Sequence, residues 1–179
     1  VNMHQQDMRA LVGERDERAV QSAVAALESE LHHRVTTISS MAVLSSEDLT
    51  FEEIFTTTND LANDFDGGVA FLNSDGYLLA NKNDVKLWKW ISQNIQNLSI
   101  ASPSDREPVF SAPILDPSSK RFFVIISAYS TSRNVIVAGA FSPESLAAKT
   151  LSATYPIDNH VTIYLLDKSR RLLFVSGAL

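Results

Sequence analysis

The chain has 179 residues and an apolar share of 45%, enough for one packed domain with, at most, part of a second. A net charge of −6, with Lys and Arg scattered singly, leaves no basic stripe for nucleic acid or for an anionic membrane surface. The absence of Cys removes disulfide frameworks, thiolate zinc sites and thiol nucleophiles together, and no stretch reaches the roughly 20 apolar residues that span a bilayer. The start Val1-Asn2-Met3-His4 reads as cut from a longer chain, so any membrane contact is expected through segments outside this sequence.

Over residues 16–44 the apolar side chains Val20, Val24, Leu27, Leu31, Val35, Ile38 and Met41 recur three or four apart, without Pro or Gly. Such a helix runs about 42 Å, longer than the core of a small domain needs, so part of its stripe is expected to serve another helix in a homodimer. Thr50 and Glu53 have capping-box spacing and open a second helix carrying Phe51, Ile54, Phe55 and Leu61, which Asp64-Phe65-Asp66-Gly67-Gly68 ends. Val69-Ala70-Phe71-Leu72 and Tyr77-Leu78-Leu79-Ala80 flank Asn73-Ser74-Asp75-Gly76 as a hairpin.

Asp84 is placed to cap a helix with Val85, Leu87, Trp88, Ile91, Ile95 and Leu98 on its apolar side and Trp90 off it. A loop over 101–108 follows, then strands over 109–115, 121–129 and 134–141 separated by hairpin-length gaps. Ser142-Pro143 starts a helix through Leu151, which Tyr155-Pro156 closes. A last hairpin joins 161–166 to 172–175 through Asp167-Lys168-Ser169-Arg170.

This order predicts an α+β fold: a five-stranded antiparallel sheet with helices on one side, behind a long N-terminal helix. Phe71-Leu72-Asn73-Ser74-Asp75-Gly76-Tyr77-Leu78-Leu79 and Leu165-Leu166-Asp167-Lys168-Ser169-Arg170-Arg171-Leu172-Leu173 read as one hairpin repeated 94 residues on. The expected organisation is therefore a signalling and dimerisation helix over 1–45, a sensor lobe over 46–157, and the start of an incomplete second lobe over 158–179. A last hairpin without partner strands would expose its edges.

Trp88 is open to two readings, core and pocket wall, since large aromatics line both. Ser111, Ser127 and Tyr129 interrupt apolar strands where a cavity would place orienting hydroxyls, or where a strand turns one face to solvent. Lys86 and Lys89 suit a solvated helix face or a carboxylate contact. None of His4, His32, His33 and His160 has metal-site spacing, and Asp64-x-Asp66-Gly67 lacks the remaining ligands of a calcium loop. No nucleophile elbow, phosphate loop, dinucleotide fingerprint or zinc-protease helix occurs, so neither an enzyme nor a cofactor is expected.

The long helix, Gly68-Val69-Ala70-Phe71-Leu72-Asn73-Ser74-Asp75-Gly76, Val135-Ile136-Val137-Ala138-Gly139-Ala140-Phe141 and Ile163-Tyr164-Leu165-Leu166-Asp167 together resemble the double Cache family. That family, also called PDC-like, has a PAS-like sheet and supplies extracytoplasmic sensors of bacterial histidine kinases, chemoreceptors and cyclic-dinucleotide enzymes. The resemblance implies that residues 66–141 are a membrane-distal lobe holding a small molecule between sheet and covering helix, with a histidine kinase as output. Lys86-Leu87-Trp88 looks like the basic-x-Trp element with which amino-acid-binding members hold a carboxylate. Where those members carry an Asp for the amine, two positions after the strand glycine, Phe141 follows Gly139 here, so the ligand class stays open. The candidate ligand-binding set is Lys86, Trp88, Ser111, Ser127, Tyr129 and Phe141. The alternative is a protein-interaction module without a small-molecule ligand.

Overall fold

A computed structural model describes residues 8–12, 17–46, 48–154, 163–167 and 172–176. The expectations for Val1-Asn2-Met3-His4, Tyr155-Pro156, His160 and Lys168-Ser169-Arg170 lie outside these residues. The strands are β1 (Met8–Val12), β2 (Val69–Asn73), β3 (Leu78–Lys82), β4 (Val109–Phe110), β5 (Ile114–Leu115), β6 (Phe122–Ser130), β7 (Val135–Phe141), β8 (Ile163–Asp167) and β9 (Leu172–Ser176). The helices are α1 (Glu17–Leu44), α2 (Phe51–Thr57), α3 (Asn59–Ala62), α4 (Val85–Gln93) and α5 (Pro143–Thr154).

The chain forms two compact units, Arg34–Ser142 and the combination of Val1–His33 with Pro143–Leu179. The first boundary falls inside α1 and the second at the start of α5, so this division differs from the one drawn after residues 45 and 157.

In the unit Arg34–Ser142 the sheet order is β3-β2-β7-β6-β4, with β5 also on β6, and every pairing is antiparallel. The strand expected over 109–115 is thus two short ones sharing an edge. Pro113 has no N–H for a ladder, and Ser111 stands in for it. Its backbone N–H donates to Ile125 O at 2.8 Å while its hydroxyl accepts from Ile125 N–H at 2.9 Å.

Helices cover both faces of this sheet, which corrects the expectation of one. The residues of β7 are buried throughout, without alternation, and a continuous apolar run of this kind has covered faces on either side. On one face, Ala70, Leu72, Phe123, Ile125, Ala138 and Ala140 form a core with Leu87, Trp88 and Ile91 of α4. On the other, Phe71 stacks on Phe51 at 4.5 Å and meets Phe55 at 5.2 Å, and Phe141 meets Phe65 edge-on at 6.3 Å. A Cβ at Gly139 would lie 2.6 Å from the Phe65 ring and 3.0 Å from Ile38 of α1, so the bare backbone permits that approach.

The capping box at the start of α2 is present: Glu53 N–H donates to Thr50 Oγ1 at 3.1 Å and Thr50 N–H to Glu53 Oε1 at 3.4 Å. Leu61 is turned partly outward, and Ala62 is the buried residue of α3. The stripe of α1 is buried within the chain itself at Leu27, Leu31, Val35, Ile38 and Met41. Its opposite side carries exposed Ser22, Ala25, Ser29 and Thr36. The expected surplus of apolar stripe for a partner helix is therefore not found over residues 27–41.

In the other unit the strands run β1-β8-β9, antiparallel. β1, too short for any periodicity to reveal, covers the edge of β8 that the sequence left without a partner. The repeated hairpin is real. β8 and β9 each begin 94 residues after β2 and β3. The register shift between Phe71 and Leu72 recurs between Leu165 and Leu166 at that same spacing.

Candidate ligand-binding face of the sheet

The pairing register decides which side chains share a face, because residues directly opposite on neighbouring strands point the same way. Ala138 lies opposite both Ala70 and Ser127, Ile136 opposite Leu72 and Tyr129, and Ala140 opposite Ile125. Ser111, bonded to Ile125, joins that face. Trp88, Ser111, Ser127 and Tyr129 are thus brought together under α4.

Asp84 caps α4 from a left-handed backbone (φ 41°), its carboxylate accepting from Leu87 N–H at 3.2 Å. Starting there, the helix turns Leu87, Trp88 and Ile91 inward and leaves Lys86 and Lys89 exposed. The helix ends at Gln93, short of the expected apolar run, and a 3-10 turn over Ile95–Asn97 continues the cover. Gly76, in the β2–β3 turn, lies so close to Ile95 that a Cβ would sit 2.5 Å from it, and Ser92 Oγ donates to Gly76 O at 2.7 Å.

Trp88 is wholly buried and its indole N–H donates to Gly67 O at 3.0 Å. A buried indole needs one such acceptor, and here the chain itself supplies it. Ser127 Oγ accepts from Ala101 N–H at 2.8 Å, tying the segment after the 3-10 turn to the middle of β6. Ser111 Oγ also donates to Ala112 O at 2.8 Å. Around these closed contacts lies a half-buried rim of Leu78, Trp90, Ile95, Leu98, Ile100 and Tyr129.

Two members of the expected set fall outside. Lys86 is at the surface. Phe141 belongs to the opposite face, packed on Phe65 with the Arg34 guanidinium 5.3 Å from its ring centre. Strand alternation makes this unavoidable, since Ala138 and Ala140 face Trp88 and Gly139 and Phe141 must then face α1. The rim residues Trp90, Ile95, Leu98 and Ile100 are outside the expected set. The offset of Trp90 from the main stripe is the signal that could have found it.

Asp66 holds the turn before β2 through its carboxylate. Its carboxylate accepts from Ser142 N–H at 2.7 Å, Ser142 Oγ at 2.6 Å and Arg121 Nη2 at 2.8 Å, closing the end of β7 against the turn before β2. Among the described residues no group of three or more His, Asp or Glu is arranged to hold a metal ion.

Elsewhere in this unit a polar cleft of about 400 Å³ is lined by Ser45, Ser46, Asp48, Leu49, Ser132 and Arg133. Arg133 is held there by its stack on Phe51, 4.1 Å from the ring centre, and by donating to Leu49 O.

The antiparallel sheet, its covering helix and the long N-terminal helix make this an α+β fold of the PAS-like, Cache/PDC-like kind. Among solved structures, the chain is similar to the sensory domain of the Campylobacter jejuni chemoreceptor Tlp3 (CcmL). One structure of that domain gives a TM-score of 0.52 at 15% identity over 88% of this chain and 69% of that one. With isoleucine bound the TM-score is 0.50 at 14% identity, and with L-valine 0.50 at 12%, each over 88% of this chain and 68% of that one. No protein-family model and no curated protein sequence matches the chain.

Proposed function

We propose that this domain is the small-molecule-sensing input of a membrane receptor, with no enzymatic activity of its own, its ligand held under α4 against the hydroxyl-bearing face of the sheet. The observation that carries this reading is the convergence of Ser111, Ser127 and Tyr129 on one face beneath a half-buried aromatic and aliphatic rim. Apolar walls with a few orienting hydroxyls are the usual makeup of a ligand site. The shared fold supports it, since the solved domains are chemoreceptor sensory domains, two of them holding an amino acid.

The unit Arg34–Ser142 is then the sensor lobe, lying outside the cytoplasm, and the small β1-β8-β9 sheet is the beginning of a second. Among the described residues no helix is long and apolar enough to cross a membrane, so the anchor is assigned to other parts of the receptor. A histidine kinase is the output that the double Cache resemblance suggests, whereas the solved domains belong to a chemoreceptor. Both outputs take the same input.

Transmission runs through β7, whose Ala138 and Ala140 touch the Trp88 core while Gly139 and Phe141 touch the far side at Ile38, Phe65 and Arg34. A ligand that favours one arrangement of the 95–101 segment, tethered at Ser127, shifts the sheet against α1 by its differential affinity. A homodimer through α1 uses the outward side, where Val43 is 65% exposed. Sedimentation equilibrium checks it: a monomer at every concentration removes that part of the proposal.

A thermal-shift screen against small acids, alcohols, amines, amino acids, purines and sugars tests the reading. A ligand at about 100 times its Kd adds about 2.7 kcal/mol to stability. Trp90→Ala, at the rim, is expected to abolish the shift without unfolding the domain. The protein-interaction alternative has its own support, since Trp88, Ser111 and Ser127 already bond within the chain. Silence across the panel would favour it.

A further inference from the structure

Resting on the reading that the face under α4 is the ligand site, we infer that its ligand is a neutral, largely apolar molecule carrying one or two hydroxyl or carbonyl oxygens, and not a zwitterionic amino acid. Within the described strands, every residue that the register puts on this face is uncharged. The polar ones are Asn81, Ser111, Ser127 and Tyr129. At the Phe123 end of the sheet stand Arg121, its guanidinium 5.2 Å from the Phe123 ring centre, and Asp116, whose backbone N–H donates to Arg121 O.

Both of those are engaged. Asp116 accepts from Ser118 N–H and Ser119 Oγ, and Arg121 holds Asp66 and Ser142. Tyr129, at the rim, is six residues along β6 from Phe123, about 20 Å at the usual strand rise. In the covering elements Lys86 and Lys89 are exposed. Asp105 is exposed too, its carboxylate taking Ser102 N–H and Oγ–H.

An ammonium placed against the strand residues of this face finds no carboxylate among them, and a buried unpaired charge weakens binding by about 100-fold or more. A hydroxyl or carbonyl finds half-buried Tyr129 at the rim, beside Ser127, whose Oγ is held by Ala101 N–H. The expected chemistry is an alcohol, ketone or small aromatic whose apolar part lies on Trp90, Ile95 and Leu98.

Matched probes separate the classes: L-isoleucine against 2-methyl-1-butanol, L-valine against 2-methyl-1-propanol, and indole as a neutral aromatic. The readout is the pair of indole N–H signals of Trp88 and Trp90 in protein NMR, titrated on the whole domain. Expected is a saturable shift with the alcohols or indole at concentrations about 100-fold below any response to the amino acids. Tyr129→Phe, which keeps the ring and the packing, should weaken it by about 3- to 10-fold. Saturable binding of isoleucine or valine tighter than of the matched alcohols overturns the inference and leaves the sensor reading standing. No saturable shift with any probe overturns both.

Discussion

Trp88 shows how one residue type serves core and pocket alike until its N–H is traced. Its indole is anchored on Gly67 O and enclosed by Ala70, Ala138 and Ala140, small residues that leave room for the ring. Trp88→Ala therefore hollows the core and is expected to cost about 3–5 kcal/mol. Trp88→Phe, which leaves the Gly67 carbonyl without its donor, should cost about 1–3 kcal/mol. Urea denaturation measures both, and a small loss for the alanine variant would mean that the ring sits in a collapsible pocket. The hydroxyls of Ser111 and Ser127 were legible as misfits in apolar strands, but their partners, Ile125 and Ala101, lie 14 and 26 residues away.

At the scale of elements, the local signals that fixed helix starts were the dependable ones, because a cap is a contact between residues three apart. Thr50 and Asp84 both accept from the N–H expected of them. Asp84→Ala should destabilise by about 1 kcal/mol, and Asp84→Asn by less, since Asn both caps and tolerates the left-handed backbone. Equilibrium unfolding of the two variants checks this, and equal losses would show that the cap itself contributes nothing. Helix α4 stopped early for a reason absent from its periodicity. Ile95 continues the stripe, yet it is the residue that packs on Gly76 of the neighbouring turn, and the chain tightens into a 3-10 turn there.

For the molecule as a whole, the closure of the sheet depends on Asp66 more than on its ion pair. Arg121 is 47% exposed and Asp66 27% at the side chain, so Arg121→Met is expected to cost within about 1 kcal/mol. Asp66→Ala strands the Ser142 N–H as well as the hydroxyl and should cost more, about 1–3 kcal/mol. Thermal melts of the pair decide it: equal losses would place the whole effect in the salt bridge.

What the sequence determined by itself was local or periodic: the α+β class, the starts of α2 and α4 from their caps, the Asn73 to Gly76 turn, and a hairpin repeated 94 residues on. Each of these is written in residues near one another or in a pattern that repeats. Tertiary structure alone decided the rest. β1 pairs with β8 across some 150 residues of chain, the second face of the sheet is filled by α1, α2 and Phe65, and Phe141 points away from Trp88. Register settled that last point, because sliding a strand by one residue exchanges its faces, and no single strand records how its neighbour is aligned.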